Sequence, residues 1–211
     1  MSLDVEWGEA WLRRTAEVIA EHRMELIELD RAIGDADHGE NMDRGFSAVV
    51  ARLAPTPDLA SLLKTAATTL MSTVGGAAGP LYGTAFLRVA QAVEAIEDEL
   101  TGSVVAEMFQ QALTGVQARG KAHEGEKTMV DALAPAARSA RAAADAGASA
   151  AGVFRAAAEG AAAGCEATIP MIATKGRASY LGERSAGHMD PGARSTYLIL
   201  QAGADVAKEL A

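Results

Sequence analysis

Apolar residues recur along this chain with the period of a helix. Between residues 4 and 28, Trp7, Trp11, Leu12, Thr15, Val18, Ile19, His22 and Leu26 fall at three- and four-residue spacing, as one core-facing side of an α-helix requires. The same spacing, punctuated by glycine, proline and capping residues, predicts further helices near 41–53, 58–74, 80–98, 103–119, 127–144, 149–167 and 191–209, which makes eight. Asp58, Ser103 and Ser149 stand where N-caps are needed, and Asp190 precedes a proline suited to the first helical position. No run of β-branched residues alternates as a strand does. The pattern predicts an all-α fold, a single domain over residues 1–211 built as an up-and-down bundle.

Composition sharpens this in one place. Alanine occurs 48 times, 19 of them among the 36 residues from Ala132 to Ala167, and helical spacing persists there through Val153 and Phe154. That stretch reads as closely packed helix, because alanine has the highest helix propensity and lets helices approach. The charge balance of 19 Lys+Arg against 28 Asp+Glu, a net −9, disfavours general attraction to nucleic acid or an anionic membrane. An anionic ligand must then be met by a local site. A lone cysteine, Cys165, forms no intrachain disulfide and no multi-cysteine zinc site, and reads as a small buried apolar residue. The opening MSLDVEWGEAWLRR lacks the basic and apolar regions of a secretory signal, and no apolar stretch approaches the ~18 residues of a membrane span. A cytoplasmic protein is expected.

Four glycine-rich or charged segments interrupt the helices: 30–41, 74–83, 120–128 and 173–193. In an up-and-down bundle of eight helices these are the odd-numbered connections, so all four should lie at one end. The first offers Asp30, Asp35 and Asp37, carboxylates that repel unless a cation sits among them and whose hard oxygens suit Mg²⁺ or Ca²⁺. Alone, such a triplet is equally a solvated acidic turn. An EF-hand is excluded: with Asp35 at loop position one, Gly39 falls at position five and Phe46 stands in place of the bidentate acid. The second segment, TVGGAAGPLYGT, opens a helix at Pro80 and suits a phosphate cradle or a simple tight turn, but lacks the ending of a P-loop. The third, with Lys121, His123 and Lys127 ahead of Met129, reads alone as solvated loop and core methionine. The fourth concentrates Lys175, Arg177, Arg184 and Arg194 before the helix at Pro191, a chemistry suited to phosphate oxygens. Jointly they describe a Mg²⁺-polyphosphate site at one end of a bundle.

The motifs GDADHGENMDRGF, GGAAGPLYGT, GEKTM and KGRASYLGERSAGHMDPGA, in this order over essentially the whole chain, resemble the nucleotide-binding L subunits of bacterial dihydroxyacetone kinase. The resemblance implies an eight-helix antiparallel barrel binding adenine nucleotide (ADP/ATP) and Mg²⁺, with two ions expected, at one end. It implies Asp30, Asp35 and Asp37 as metal ligands and His38, Gly39, Glu40 and Asn41 as phosphate contacts. By the same resemblance Ala78 and Gly79 match a phosphate-contacting Ser-Gly pair, Gly120 and Met129 match adenosine contacts, and Arg177 with Asp190, Pro191 and Gly192 closes the site. Arg177 is the expected catalytic residue. Two positions depart from the family pattern: Ala78 replaces a serine, and Gly125-Glu126-Lys127-Thr128 stands for Gly-Asp-Lys-Thr.

The family's dihydroxyacetone is held by a separate K subunit, and its phosphoryl donor is either an M subunit of the phosphotransferase system, recharging bound ADP, or free ATP. The stand-alone L-type chain favours the first. The nucleotide domain of fatty acid kinase shares the aspartate pattern, but His38 and the KGRASYLGERS segment argue against it. A non-catalytic nucleotide-binding protein that regulates a partner is an alternative of another class.

Overall fold

The computed structural model describes residues 3–94, 96 and 100–210. Among these it contains nine α-helices, a 3-10 segment kinked at Gly182 and no strand: α1 Val5–Glu21, α2 Arg23–Ile33, α3 His38–Ala51, α4 Leu59–Thr73, α5 Ala78–Val93, α6 Gly102–Gly120, α7 Val130–Asp145, α8 Ala150–Ala167, the 3-10 helix Arg177–Ser185 and α9 Pro191–Glu209. From α3 onward each α-helix packs on the next, α3 also packs on α1, and α9 returns to α1, which closes the ring. The all-α fold expected from the helical period is therefore observed, closed into the barrel that the resemblance implies. No described helix is long and apolar enough to cross a membrane.

The first predicted helix is the main correction to the count of eight. It divides at His22, where φ −91° and ψ 8° leave the helical region, and α2 continues to Ile33. No proline or glycine marks the break. It is held from outside, because Glu25 receives His22 Nδ1 at 2.6 Å and Arg194 Nε of α9 at 2.7 Å. Asp58, Ser149 and Asp190 cap their helices as expected. The cap of α6 is Thr101, whose hydroxyl accepts the Val104 N–H, rather than Ser103. Part of the end of the predicted 80–98 helix, at residues 95, 97 and 98, lies outside the described residues.

An aromatic cluster fills the middle of the ring. Trp7 stacks on Trp11 with centroids 5.0 Å apart, and Phe154 meets both edge-on at 5.1 and 5.4 Å. Each indole N–H still needs an acceptor when buried. Trp7 donates to the Gly203 carbonyl at 3.1 Å and Trp11 to the Ile199 carbonyl at 2.8 Å, both on α9. These bonds register α1 against α9, whose first turn borders the cleft described below.

The alanine-rich stretch forms the α7–α8 pair. At Gly164 a Cβ would stand 2.1 Å from the Asp131 carbonyl oxygen and 2.8 Å from Pro135 Cγ, and at Gly160 one would stand 2.6 Å from the Pro135 carbonyl. Backbone lies on backbone here. Pro135, inside α7, has no N–H to give the Asp131 carbonyl, and the bare face of α8 fits over that turn.

Gly164→Ala should therefore separate the pair and lower stability by about 1–3 kcal/mol, a fall of several degrees in Tm for a chain of this size. Gly152→Ala, on the same helix but with its nearest neighbour at 3.3 Å, should leave Tm unchanged or raise it, since alanine favours a helix by ~1 kcal/mol over glycine. Thermal melts followed by circular dichroism make the comparison. Equal melting of the two variants would refute close backbone packing at Gly164.

Candidate nucleotide and metal site

The connections α2/α3, α4/α5, α6/α7 and α8/α9 all contribute to one open cleft of about 230 Å³. The convergence expected from helix parity is thus present.

Asp30 lies in the last turn of α2, not in a loop, and only residues 34–37 join α2 to α3. Its Oδ2 accepts the N–H groups of Asp37 at 2.8 Å and His38 at 3.1 Å. The turn closes tightly enough that a Cβ on Gly34 would meet Asp30 Oδ1 at 2.0 Å. Ala36 takes φ 63°, a left-handed conformation that costs an alanine about 1–2 kcal/mol. Strain of this kind persists where the surroundings fix it and concentrates at functional sites. Its geometric result is that Asp30, Asp35 and Asp37 each offer an oxygen within 4.8 Å of the others. Three hard oxygen donors at that separation fit a divalent cation such as Mg²⁺. Arg177 Nη2 approaches Asp35 Oδ2 at 2.9 Å.

Below the carboxylates, His38 begins α3. Its Nε2 lies 2.8 Å from Ser195 Oγ, which lies 2.7 Å from Tyr82 Oη. Burial lowers the His38 pKa against the pull of Asp30 and Asp37, so the imidazole is neutral near pH 7. Burial likewise raises the Tyr82 pKa, and the phenol keeps its proton. Asn41, also on the cleft wall, accepts from Arg44 through Oδ1. A Cβ on Gly75 would stand 2.7 Å from that same oxygen, so glycine lets the α4/α5 turn approach the cleft wall at Asn41.

The third connection corrects the reading of a solvated loop. Lys127 is 1% exposed, and its ammonium donates to the carbonyls of Thr168, Ile169 and His188. Burial lowers its pKa, while Asp190 and Asp131 favour its charge. Glu126, the departure from the family's aspartate, turns inward on its own loop and accepts the His123 N–H at 2.7 Å. Across the cleft Asp190 caps α9 by accepting the Ala193 N–H at 2.7 Å. Burial pushes the Asp190 carboxyl up to about 7 against that bond, with Asp131 adding to the rise and Lys127 opposing it.

Of the residues singled out from sequence, Asp30, Asp35, Asp37, His38, Asn41, Ala78, Met129, Arg177, Asp190, Pro191 and Gly192 line the cleft. Gly39, Glu40, Gly79 and Gly120 do not. Gly39 and Gly79 face backbone instead: a Cβ would stand 2.2 Å from the Arg23 carbonyl and 2.3 Å from the Val74 carbonyl respectively. Glu40 is exposed with Arg23 Nη1 at 3.8 Å, and Gly120 abuts Leu81, with a Cβ 3.1 Å from Cδ2. Tyr82, Lys127, Thr128 and Lys175 line the cleft as well. All four stand in quoted motifs, Tyr82 in GGAAGPLYGT, Lys127 and Thr128 in GEKTM and Lys175 at the start of KGRASYLGERSAGHMDPGA, and the two lysines were already marked by their charge.

Residues 32–205 match the DAK2 domain family model. The chain is 46% identical over 201 residues to the ADP-binding subunit DhaL of PEP-dependent dihydroxyacetone kinase from Escherichia coli, covering 94% of this chain and 95% of that one. It is 40% identical to the corresponding subunit of kinase 1 from Listeria innocua, covering 96% of each. The crystal structure of the dihydroxyacetone kinase from C. freundii in complex with AMP-PNP and Mg²⁺ superposes with a TM-score of 0.70 at 26% identity. That match covers 93% of this chain and 33% of the other, so the chain spans about a third of that kinase. By family match and near-full-length identity, the chain belongs to the DAK2 domain family, among its DhaL proteins.

Proposed function

We propose that this chain is the ADP-binding subunit of a PEP-dependent dihydroxyacetone kinase, and that residues 1–211 act as one nucleotide-binding unit. In this reading it holds Mg²⁺-nucleotide, with two ions, and transfers the phosphoryl group to dihydroxyacetone on a separate K subunit. An M subunit of the phosphotransferase system then recharges the bound ADP. The observation that carries the reading is the convergence of Asp30, Asp35 and Asp37 within 4.8 Å, on a cleft that also holds Arg177 and the first turn of α9. The relatives named as ADP-binding subunits, matched over 94% and 96% of this chain, support the donor assignment.

The roles follow from the chemistry of phosphoryl transfer, in which positioning and charge stabilisation supply the rate. Asp30, Asp35 and Asp37 hold Mg²⁺, which supplies charge neutralisation on the phosphate oxygens. The first turns of α5 and α9, at Ala78 and Gly192, offer backbone N–H groups to anionic oxygens, while the His38 N–H at the start of α3 already binds Asp30. Ala78 at the start of α5 offers its backbone there, and the hydroxyl of the family's serine is missing, worth ~1 kcal/mol at one contact. Neutral His38 is a hydrogen-bond partner rather than a charge. Met129 lends an apolar wall for the adenosine side, and Arg177 supplies a planar, bidentate cation that follows charge spreading over the moving phosphoryl group. The acceptor hydroxyl belongs to the partner's substrate, and no covalent step falls on this chain. Mixing the purified chain with a K subunit, with and without an M subunit and PEP, tests the whole reading. Transfer to dihydroxyacetone from free ATP alone would replace the PEP-dependent assignment with an ATP-dependent one.

The protein should purify with adenine nucleotide and Mg²⁺ bound, and EDTA should release both. Heat-treated supernatant without adenine absorbance, joined to absence of binding on titration, would defeat this. Asp35→Asn and Asp37→Asn should each lose the nucleotide and melt at lower temperature, because a ligand that binds only the folded state stabilises it, by about 2.7 kcal/mol at a hundredfold excess over Kd. Melting and nucleotide content equal to wild type would make these acids ordinary surface residues.

Arg177→Lys should slow single-turnover transfer to dihydroxyacetone on a K subunit by about tenfold, near 1.4 kcal/mol in barrier, with nucleotide affinity changed far less. Charge is kept and the guanidinium geometry is lost. A transfer rate within about twofold of wild type, under ~0.5 kcal/mol, would remove Arg177 from the chemistry and leave it as an anchor of the 3-10 segment.

A further inference from the structure

Lys127 is among the largest fully buried side chains of the protein, and the phosphoryl-transfer roles above leave it unused. A lysine on a nucleotide cleft would ordinarily be read as a phosphate ligand. Here the three ammonium protons match three carbonyl acceptors: Thr168 at 2.5 Å, Ile169 at 3.4 Å and His188. No ammonium proton is left for a phosphate. The acceptors are informative by position. Thr168 is the C-cap of α8, where helix carbonyls lack partners and a cation is favoured. His188 lies two residues before Asp190, the N-cap of α9.

A second bond runs parallel to this one. The Asp190 N–H donates to Thr168 Oγ1 at 3.0 Å, and that hydroxyl donates to the Cys165 carbonyl at 2.7 Å. On the lysine's own side Asp131 Oδ2 accepts the Thr128 N–H at 2.7 Å and Oδ1 accepts that of Gly125. These hold the turn in which Lys127 itself takes φ 62°. Three segments thus meet at one ammonium: the start of α7, the end of α8 and the strand of chain leading into α9.

We propose that Lys127 is a positioning residue of the nucleotide cleft: its ammonium fastens the chain ahead of α9 to the end of α8, so that Asp190 and the first turn of α9 face the nucleotide. The inference rests on the nucleotide-binding reading. Removing the ammonium takes the donor from the His188 carbonyl, leaves the Thr168 and Ile169 carbonyls to the Met171 and Gly187 N–H groups alone, and loosens the chain ahead of α9 from α7, with the Thr174 N–H on the Glu126 carbonyl still in place. The carboxylates at Asp30, Asp35 and Asp37 hang from α2 and the α2/α3 turn, and that attachment does not pass through Lys127.

The test measures two ligands on the full chain, stripped of nucleotide and held well below its melting transition: ADP with Mg²⁺ by calorimetry, and Mn²⁺ alone by electron paramagnetic resonance. Lys127→Met should weaken ADP roughly tenfold or more, as for a charged hydrogen-bond partner lost from a buried site, with Mn²⁺ affinity close to wild type. Thr168→Val removes the parallel bond without touching the lysine and should weaken ADP roughly threefold or more. If Lys127→Met does not fold, the valine variant decides alone. Variants that melt lower yet bind ADP like wild type would make Lys127 structural only and overturn the proposal, as would a parallel loss of Mn²⁺. A wild-type chain that binds no ADP would instead overturn the functional reading, and the positioning role with it.

Discussion

Asp30 Oδ2 accepts the Asp37 and His38 N–H groups, and this pair of bonds determines most of what happens at the cleft. It closes a four-residue turn against the last turn of α2, which is what brings Asp35 and Asp37 back beside Asp30. A carboxylate so placed also sits at the N-terminus of α3, where orphan N–H groups and the helix dipole favour negative charge. The fold thereby offsets part of the repulsion among three acids before any cation arrives. The strain at Ala36 is the remaining cost, held in place by the helices on either side.

The chain carries a net charge of −9, so the cations near the cleft have to be placed one at a time, and each has a different task. Arg194 joins Glu25 at 2.7 Å and stacks over Tyr197 at 5.4 Å, which fixes α2 to α9. Asp30 rides on the first of these helices and Asp190 leads into the second. Lys127 binds carbonyls only. Arg177, 70% exposed, stays at the surface and meets Asp35 of the candidate metal site. Arg194 and Lys127 thus set the shape of the cleft, while Arg177 and Lys175 line it.

Much of this was legible in the sequence because local rules decided it. Helical period located the helices from α3 onward, Asp58, Ser149 and Asp190 marked three helix starts, and parity alone placed four connections at one end. What was not legible came from contacts between distant residues. The break at His22 has no proline or glycine and depends on Arg194, which lies 169 residues away from Glu25. Ser103 and Thr101 are both good caps, and spacing by itself does not choose between them. Lys127 sits in a charged, glycine-flanked stretch whose composition describes a solvated loop, yet the carbonyls that bury it come from residues 168–188. The burial of a lysine by distant carbonyls does not show in the composition of its own stretch, although the GEKTM motif marks the position. Motif resemblance found the carboxylates and the cleft wall, but it also brought Gly39, Glu40, Gly79 and Gly120, residues that pack behind the wall or beside it.

The α8/α9 connection shows how such a site stays ordered while one side chain remains available. Its 3-10 helix is pinned by a small apolar cluster of its own, in which Ile33 of α2 meets Ala173 and Ala178 with Leu181 against them. The segment is also tied by Ser185 Oγ, which accepts the Ala173 N–H at 2.8 Å and donates to the Gly182 carbonyl at 2.6 Å. Its backbone is therefore fixed at both ends, by Ile33 at the carboxylates and by Lys127 near α9. Arg177 begins this helix, so its Cα is held while its long side chain extends over the cleft. An exposed ion pair contributes little stability, ~0–1 kcal/mol, so a change of partner costs Arg177 little. For the buried groups, Asp30 and Lys127, a change of partner would strand hydrogen-bonding groups without solvent, which is expensive. The division between fixed and exchangeable charge is thus set by burial, and burial is set by which residues the helix ends enclose.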